Sequence, residues 1–403
     1  MTPRAWRAVR VGAAVAVVLA ATLIPTEDHG TKVILFSGLA DSLCNLALFL
    51  PLGMALYQPG RHGKGAVLLA ALLSASVEVA QLFIPGRHTS PADVVCNAAG
   101  AAMGWWLASR WPMLLDPEPR QARRFGWWAG MGAVAVLAGT LLLFRYAPSD
   151  DDYYAQWTPL LGHIAHYDGR IVRAELDGVS EPDGRIADKA RVDEYVRGGR
   201  RLHLSLVAAP PPGELSDVIS VAAYEKEIVL VAAWHNDLLL RYRTLGRALT
   251  LNRPLLRVRG TLAGAVPGAP LDIDIERERG WCVQVSGSLQ RRCGIGYSPG
   301  DGWRLLQAPE LAPWLMATLN VCWLIAVMAP LGYWAEPKIA LAFGVAAAAG
   351  LYALAAALRE PALPVREALA VLLGWSTGWV LWRLRQPRNA SLATSSRQRS
   401  IRS

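Results

Sequence analysis

Residues Asp41 to Gly104 read DSLCNLALFLPLGMALYQPGRHGKGAVLLAALLSASVEVAQLFIPGRHTSPADVVCNAAGAAMG. Three apolar runs in this stretch are long enough to enter a bilayer. Each carries two polar residues at helical spacing: Asp41 with Asn45, Glu78 with Gln81, and Asp93 with Asn97. A separation of three or four residues puts both members of a pair on one helix face. Carboxylates inside a membrane span are costly to keep there and normally face a bundle interior or a wet cavity. Three such pairs so close in sequence predict one shared site.

The same residues carry a family resemblance. Asp41, Asn45, Phe49-Leu50-Pro51-Leu52-Gly53, then Ser74, Glu78 and Gln81, then Arg87, Ser90, Asp93, Asn97, Gly100 and Gly104 follow one another in an order that resembles the VanZ-like family of bacterial membrane proteins. The resemblance covers roughly the first third of the chain. It implies a polytopic protein of the cell envelope, in a family named for a member linked to resistance to the glycopeptide teicoplanin.

Composition agrees with a membrane protein. The 403 residues are 53% hydrophobic and only 18% charged, with a mean hydropathy of +0.25, which is unusual for a soluble chain. The net charge of +9 raises the question of nucleic acid, and its distribution answers it. Between Ala147 and Glu310 about 20 Lys and Arg face about 22 Asp and Glu, so the basic excess lies in the apolar portion and its short loops. That is a mark of membrane topology, and no nucleic-acid face is expected.

The N-terminal MTPRAWRAVR and the apolar run to Ile24 have the outline of a signal peptide. The run continues to a proline and further spans follow at once, so a retained first helix is the preferred reading. Further spans are expected near Ser37–Tyr57, Ala66–Phe83, Ala92–Ser109 and Gly126–Tyr146, then near Pro313–Tyr333, Ile339–Leu358 and Ala368–Trp382. The expected fold is thus an α-helical bundle of eight spans with a domain inserted after the fifth. With the N-terminus in the cytoplasm, Arg61, Lys64, Arg110, Arg120, Arg123, Arg124, Lys338 and a basic tail lie inside; Lys32, Arg87, Arg145, Arg359 and Arg366 lie outside. This bias sets both termini inside. The expected domains are a VanZ-like region 1–146, an extracytoplasmic domain 147–310, three C-terminal helices 311–384 and a disordered tail 385–403.

Within 147–310 long apolar runs give way to short alternating ones, among them RLHLSLVAA, LDIDIERE and WCVQVSG. Period-two alternation bounded by Pro, Gly, Asn and Asp predicts a β-sandwich. IVLVAAWHNDLLLRYRT, an extended pair about a tight His235-Asn236 turn, resembles the concanavalin A-like, laminin G-type jelly roll. Members of that fold often bind carbohydrate, although fold alone does not give function. Cys282 and Cys293 suit opposite strands of a hairpin, and an oxidising exterior favours their disulfide over two buried thiols. Cys44, Cys96 and Cys322 lie in apolar runs and read as packing residues.

On the inferred topology Asp41 and Asn45, Glu78 and Gln81, Arg87 and Ser90, and Asp93 and Asn97 all converge on the outer side, forming a candidate binding site. Asn45, Gln81 and Asn97 are also explained as interhelical glue. Asp41, Glu78 and Asp93 fit that reading less well, because burying a carboxylate costs more than one bridging bond returns; Arg87 pairing with one of them is a structural alternative. His88 is a candidate proton acceptor, with a solvated or capping role as the simpler reading. Gly100 and Gly104 read as close helix packing, and Pro51 with Gly53 as a bend or end of the second helix. Asp150-Asp151-Asp152 and Asp272, Asp274 and Glu276 are possible calcium ligands, better explained as a solvated loop and an exposed strand face. No zinc spacing, nucleotide loop, GxSxG elbow or HExxH helix occurs, and no cofactor is expected.

The function expected from these residues is binding of a membrane lipid head group, an envelope glycan or a lipid-linked saccharide. Two rivals stand beside it. One is a membrane enzyme with Glu78 or Asp93 as general base and Arg87 holding an anionic group; the other is a proton-coupled transporter using the carboxylates as a relay.

Overall fold

A backbone inside hydrocarbon must satisfy its own polar groups, which limits a span to helix or closed barrel. The computed structural model describes residues 2–23, 38–85, 87, 89–159, 165–224, 226–286, 291–307, 311–361 and 363–385. His88, His163 and the tail beyond Arg385 lie outside the described residues. The chain divides into two compact units, Met1–Gln121 and Ala122–Ser403.

The first unit holds α1 (Pro3–Leu23), α2 (Leu39–Leu56), α3 (Lys64–Gln81) and α4 (Pro91–Leu115). The start of α4 follows helix-entry rules: Ser90 is the N-cap in extended conformation, proline occupies the first turn, and Asp93 lies there too, at the positive end of the helix dipole. Pro51 neither ends nor interrupts α2, which runs on to Leu56. The helices α2 and α4 approach closely enough that a Cβ on Gly53 would collide with the carbonyl of Ala101, one on Gly100 with that of Leu46, and one on Gly104 with that of Leu50. Phe49, Leu52, Ala70 and Ala101 form the core with Val18 of α1. Outward, Leu68, Leu69, Leu72 and Val79 remain exposed, an apolar belt suited to lipid.

The second unit begins with α5 (Pro119–Leu143), which packs with later helices: a Cβ on Gly126 would meet Ala335, and one on Gly130 the ring of Phe343. The boundary between the two units, after Gln121, falls within the first turn of this helix. A β domain follows, built from β1 (Tyr154–Trp157), β2 (Ala165–His166), β3 (Arg170–Leu176), β4 (Val179–Ser180), β5 (Gly184–Arg185), α6 (Lys189–Arg197), β6 (Arg201–Val207), β7 (Ser216–Ala223), β8 (Lys226–Trp234) and β9 (Asp237–Tyr242). It continues through α7 (Leu245–Ala248), β10 (Leu256–Val258), β11 (Pro270–Glu278), β12 (Gly280–Val285), β13 (Arg292–Ile295) and a 3-10 helix at Pro299–Leu305. The helices α8 (Pro313–Trp334), α9 (Pro337–Ala357) and α10 (Val365–Arg385) complete the unit.

The strands form two sheets of a β-sandwich. One has the order β10-β9-β8-β7-β1-β5 with β2 beside β7, the other β13-β12-β11-β6-β3-β4. Pairing is antiparallel except for β2 with β7. Alternating burial along β6 and β11 matches their alternating sequence. By contrast β8 and β9 are buried on both faces, because Leu230, Ala232 and Leu239 are covered by Leu215, Trp234 and Leu255. His235 and Asn236 close the β8–β9 hairpin, with His235 at a φ of 52°. Cys282 and Cys293 are joined in a disulfide between β12 and β13.

Eight long helices among the described residues lie where eight spans are expected. Six of them, α1, α2, α3, α5, α8 and α9, are long and apolar enough to cross a membrane. The other two carry more polar residues, such as Asp93, Asn97 and Arg110 in α4 and Arg366, Glu367 and Arg383 in α10.

Candidate functional site

The candidate residues fall into two layers at one end of α2, α3 and α4. The outer layer holds Asp41 in the first turn of α2, Glu78 in the last turn of α3 and Asp93 in the first turn of α4. Asp93 lies within electrostatic reach of both Asp41 and Glu78. Glu78 Oε2 accepts the backbone N–H of Ser90 at 2.9 Å, so this carboxylate caps the start of α4 and locks the loop between the two helices. Asp41 is exposed, while Glu78 and Asp93 are half-buried.

One helical turn deeper lie Asn45, Ser74 and Asn97, all neutral. Asn97 Nδ2 donates to Ser74 Oγ at 2.8 Å. Its Oδ1, in a residue only 3% exposed, has no hydrogen-bond partner among the described residues. Asn45, half-buried, lies one turn on from Asp41 in α2. Charge at the rim and neutral amides further in follow the rising cost of burying charge.

Gln81 and Arg87 turn toward the end of α1. Gln81 Nε2 donates to Thr22 O at 2.9 Å, and Arg87 Nη2 to Ala21 O at 3.1 Å. A cation and an amide donor here satisfy carbonyls that the helix terminus leaves open. Gly100 and Gly104 serve close packing.

Sequence reasoning missed a second polar cluster, in the second unit. Glu367, wholly buried in the first turn of α10, accepts Ser298 Oγ–H at 2.7 Å on Oε1 and the Gly300 N–H at 3.1 Å on Oε2. Asn320 of α8 accepts from Trp303 Nε1 at 2.8 Å and donates to Asp301 Oδ1 at 3.2 Å. Nearby, Glu360 accepts Arg277 Nη2 at 2.5 Å, Tyr242 O–H at 3.1 Å and the Tyr297 N–H at 3.1 Å. These contacts tie the β domain to α8 and α10.

Of the remaining acidic candidates, all but Asp150 are paired with side chains, Glu276 with Arg201 and Arg291. Asp274 meets His203 at 3.0 Å, Asp272 accepts from Ser205 at 2.7 Å, and Asp151 and Asp152 pair with Lys226 and Arg185. Such engagement suits a solvated surface better than a calcium loop. Glu278, Cys282 and Cys293 cluster closely enough for a metal, but the two sulfurs are spent in the disulfide. On the six-stranded sheet, Glu175, Arg200, His203, Asp274, Glu276 and Arg277 line a cavity of about 830 Å³.

Fold and site together define a multi-pass helical membrane protein carrying a β-sandwich between its helices. Residues 8–114 match the VanZ/LLP1 family model, so this part of the chain is VanZ-like. Neither the curated proteins nor the solved structures contain a match.

Proposed function

We propose that the chain acts at the bacterial cell envelope as a VanZ-like binding protein, with Asp41, Glu78 and Asp93 forming the rim of an outward-facing site for a polar head group or glycan. The observation that carries this reading is the meeting of acidic side chains from three separate helices. Like charges held together raise one another's energy, and pure packing would select against them. The orphaned Asn97 Oδ1 beneath them adds an acceptor seeking a donor. Bacterial glycopeptide tolerance, teicoplanin included, is the physiological context. In this reading the β domain is extracytoplasmic, in keeping with its disulfide, and its charged cavity receives saccharide or a partner. Glu78 is held by the Ser90 N–H and acts as a positioning residue more than as a general base.

The test is complementation of a deletion strain, reading glycopeptide susceptibility and membrane abundance together. Asp93→Asn is expected to abolish complementation at unchanged abundance. Full complementation would refute the site, and loss of abundance would show a structural role instead.

A further inference from the structure

The helices α8 to α10 repeat the pattern of α2 to α4. Asp41 stands before Pro51-Leu52-Gly53 as Asn320 stands before Pro330-Leu331-Gly332, at identical spacing. Asp93, Gly100 and Gly104 are matched by Glu367, Gly374 and Gly378, again at identical spacing. The packing follows the same register. A Cβ on Gly332 would collide with the carbonyl of Trp375 as one on Gly53 would with that of Ala101. Gly374 lies against Ile325 as Gly100 does against Leu46, and Gly378 against Ala329 and Tyr333 as Gly104 does against Leu50 and Met54. Every partner is displaced by the same step along its helix. The repeat extends to the preceding helix: Val18-Leu19-Ala20-Ala21-Thr22-Leu23 of α1 is matched by Val136-Leu137-Ala138-Gly139-Thr140-Leu141 of α5. Thr22 and Thr140 each donate to the carbonyl one turn back, at 2.7 and 2.8 Å. Phe49 and Leu52 fill the first core where Met328 and Leu331 fill the second.

The polar positions have diverged. In the gapless alignment of α3–α4 with α9–α10, Glu78 falls on Tyr352, Asn97 on Val371 and Ser74 on Ala348. What survives is Asn320 for Asp41 and Glu367 for Asp93, 5% and 0% exposed. Both accept from the turn at 298–305, through a hydroxyl, a backbone N–H and an indole N–H, and Asn320 also donates to the Asp301 carboxylate of that turn. The β domain itself is inserted between α5 and α8, the counterparts of α1 and α2.

We infer that α5 with α8–α10 is a second copy of the VanZ-like unit, and that the turn at 298–305 occupies in it the place of the first copy's ligand, which therefore presents neutral hydroxyl and amide donors. The first site likewise is built of acceptors, the carboxylates of Asp41, Glu78 and Asp93 with Asn97 Oδ1, which suit the same chemistry. The ligand half of this inference rests on the binding role proposed for Asp41 and Asp93; the repeat and its plug do not.

Two measurements on the full chain in nanodiscs separate these halves. In amide hydrogen exchange, Glu367→Ala and Asn320→Ala are expected to speed exchange at 298–305 at least tenfold while β8 and β9 stay protected and Asp93→Asn has no effect there. Unchanged exchange, or loosening of the whole sandwich alike, would overturn the plug. In lipid binding, diacylglycerol monoglucoside is expected to bind in preference to phosphatidic acid and to lose at least tenfold in affinity with Asp41→Asn or Asp93→Asn. A preference for phosphatidic acid would overturn the ligand class. Binding of neither lipid would remove the site itself and leave the exchange result standing.

Discussion

Asp217 shows at the residue scale how an uncompensated charge registers. It sits on β7, is 1% exposed, and neither carboxylate oxygen has a hydrogen-bond partner among the described residues. Burial, with the nearby negative charge of Glu227, pushes its carboxyl up to about 6. The folded state thus binds a proton that the unfolded chain releases near pH 4, and stability falls as pH rises from about 4 to about 6. Asp217→Asn is expected to stabilise the protein at pH 7.5 by on the order of 2 kcal/mol, with the gain vanishing toward pH 4; thermal unfolding in detergent at both pH values checks this. Glu360 and Arg277 present a different case, a buried ion pair whose other hydrogen bonds run to Tyr242, the Tyr297 amide and Val196 O, with only Arg277 Nε lacking a partner among the described residues. Removing one partner strands the other, so Arg277→Ala should cost about 3 kcal/mol or more. A small effect in the same assay would mean that water reaches the pair.

Glycines decide the packing of whole helices. Because backbone of α4 touches backbone of α2 at Gly53, Gly100 and Gly104, the pair has no room for a side chain. Gly104→Leu is expected to separate the two helices and reduce folded membrane-inserted protein severalfold, whereas Gly12→Leu, where nothing lies within reach of a Cβ, should be silent; abundance and protease resistance measure both. In the sandwich, the Cys282–Cys293 disulfide closes a short loop, and Cys282→Ser with Cys293→Ser should cost about 2 to 3 kcal/mol. Helices and alternating strands were legible in the sequence because hydrophobic period reports burial on one face. The double burial of β8 and β9 was not, since a continuous apolar run does not say what covers it. Nor was continuation of α2 past Pro51, which depends on packing against α4.

For the whole molecule, the acidic residues of α2–α4 were legible because carboxylates in apolar runs stand out. The second cluster was not, although its signal was present: Pro330-Leu331-Gly332 repeats Pro51-Leu52-Gly53, and Glu367 stands where Asp93 does. It was hidden because the partners of Glu367, Ser298 and Gly300, lie 69 and 67 residues earlier, at the end of the inserted domain. The same insertion explains why α5 belongs with the later helices. In the proposed topology the rim of the first site lies on the outer face of the membrane, and Asp41, exposed at the start of α2, reports on that most directly. With Asp41→Cys in a chain whose Cys44, Cys96 and Cys322 are replaced by Ser, a membrane-impermeant maleimide added to intact spheroplasts should label position 41, while Arg120→Cys in the same background should react only after permeabilisation. Labelling of position 120 in intact spheroplasts with position 41 protected would contradict the account.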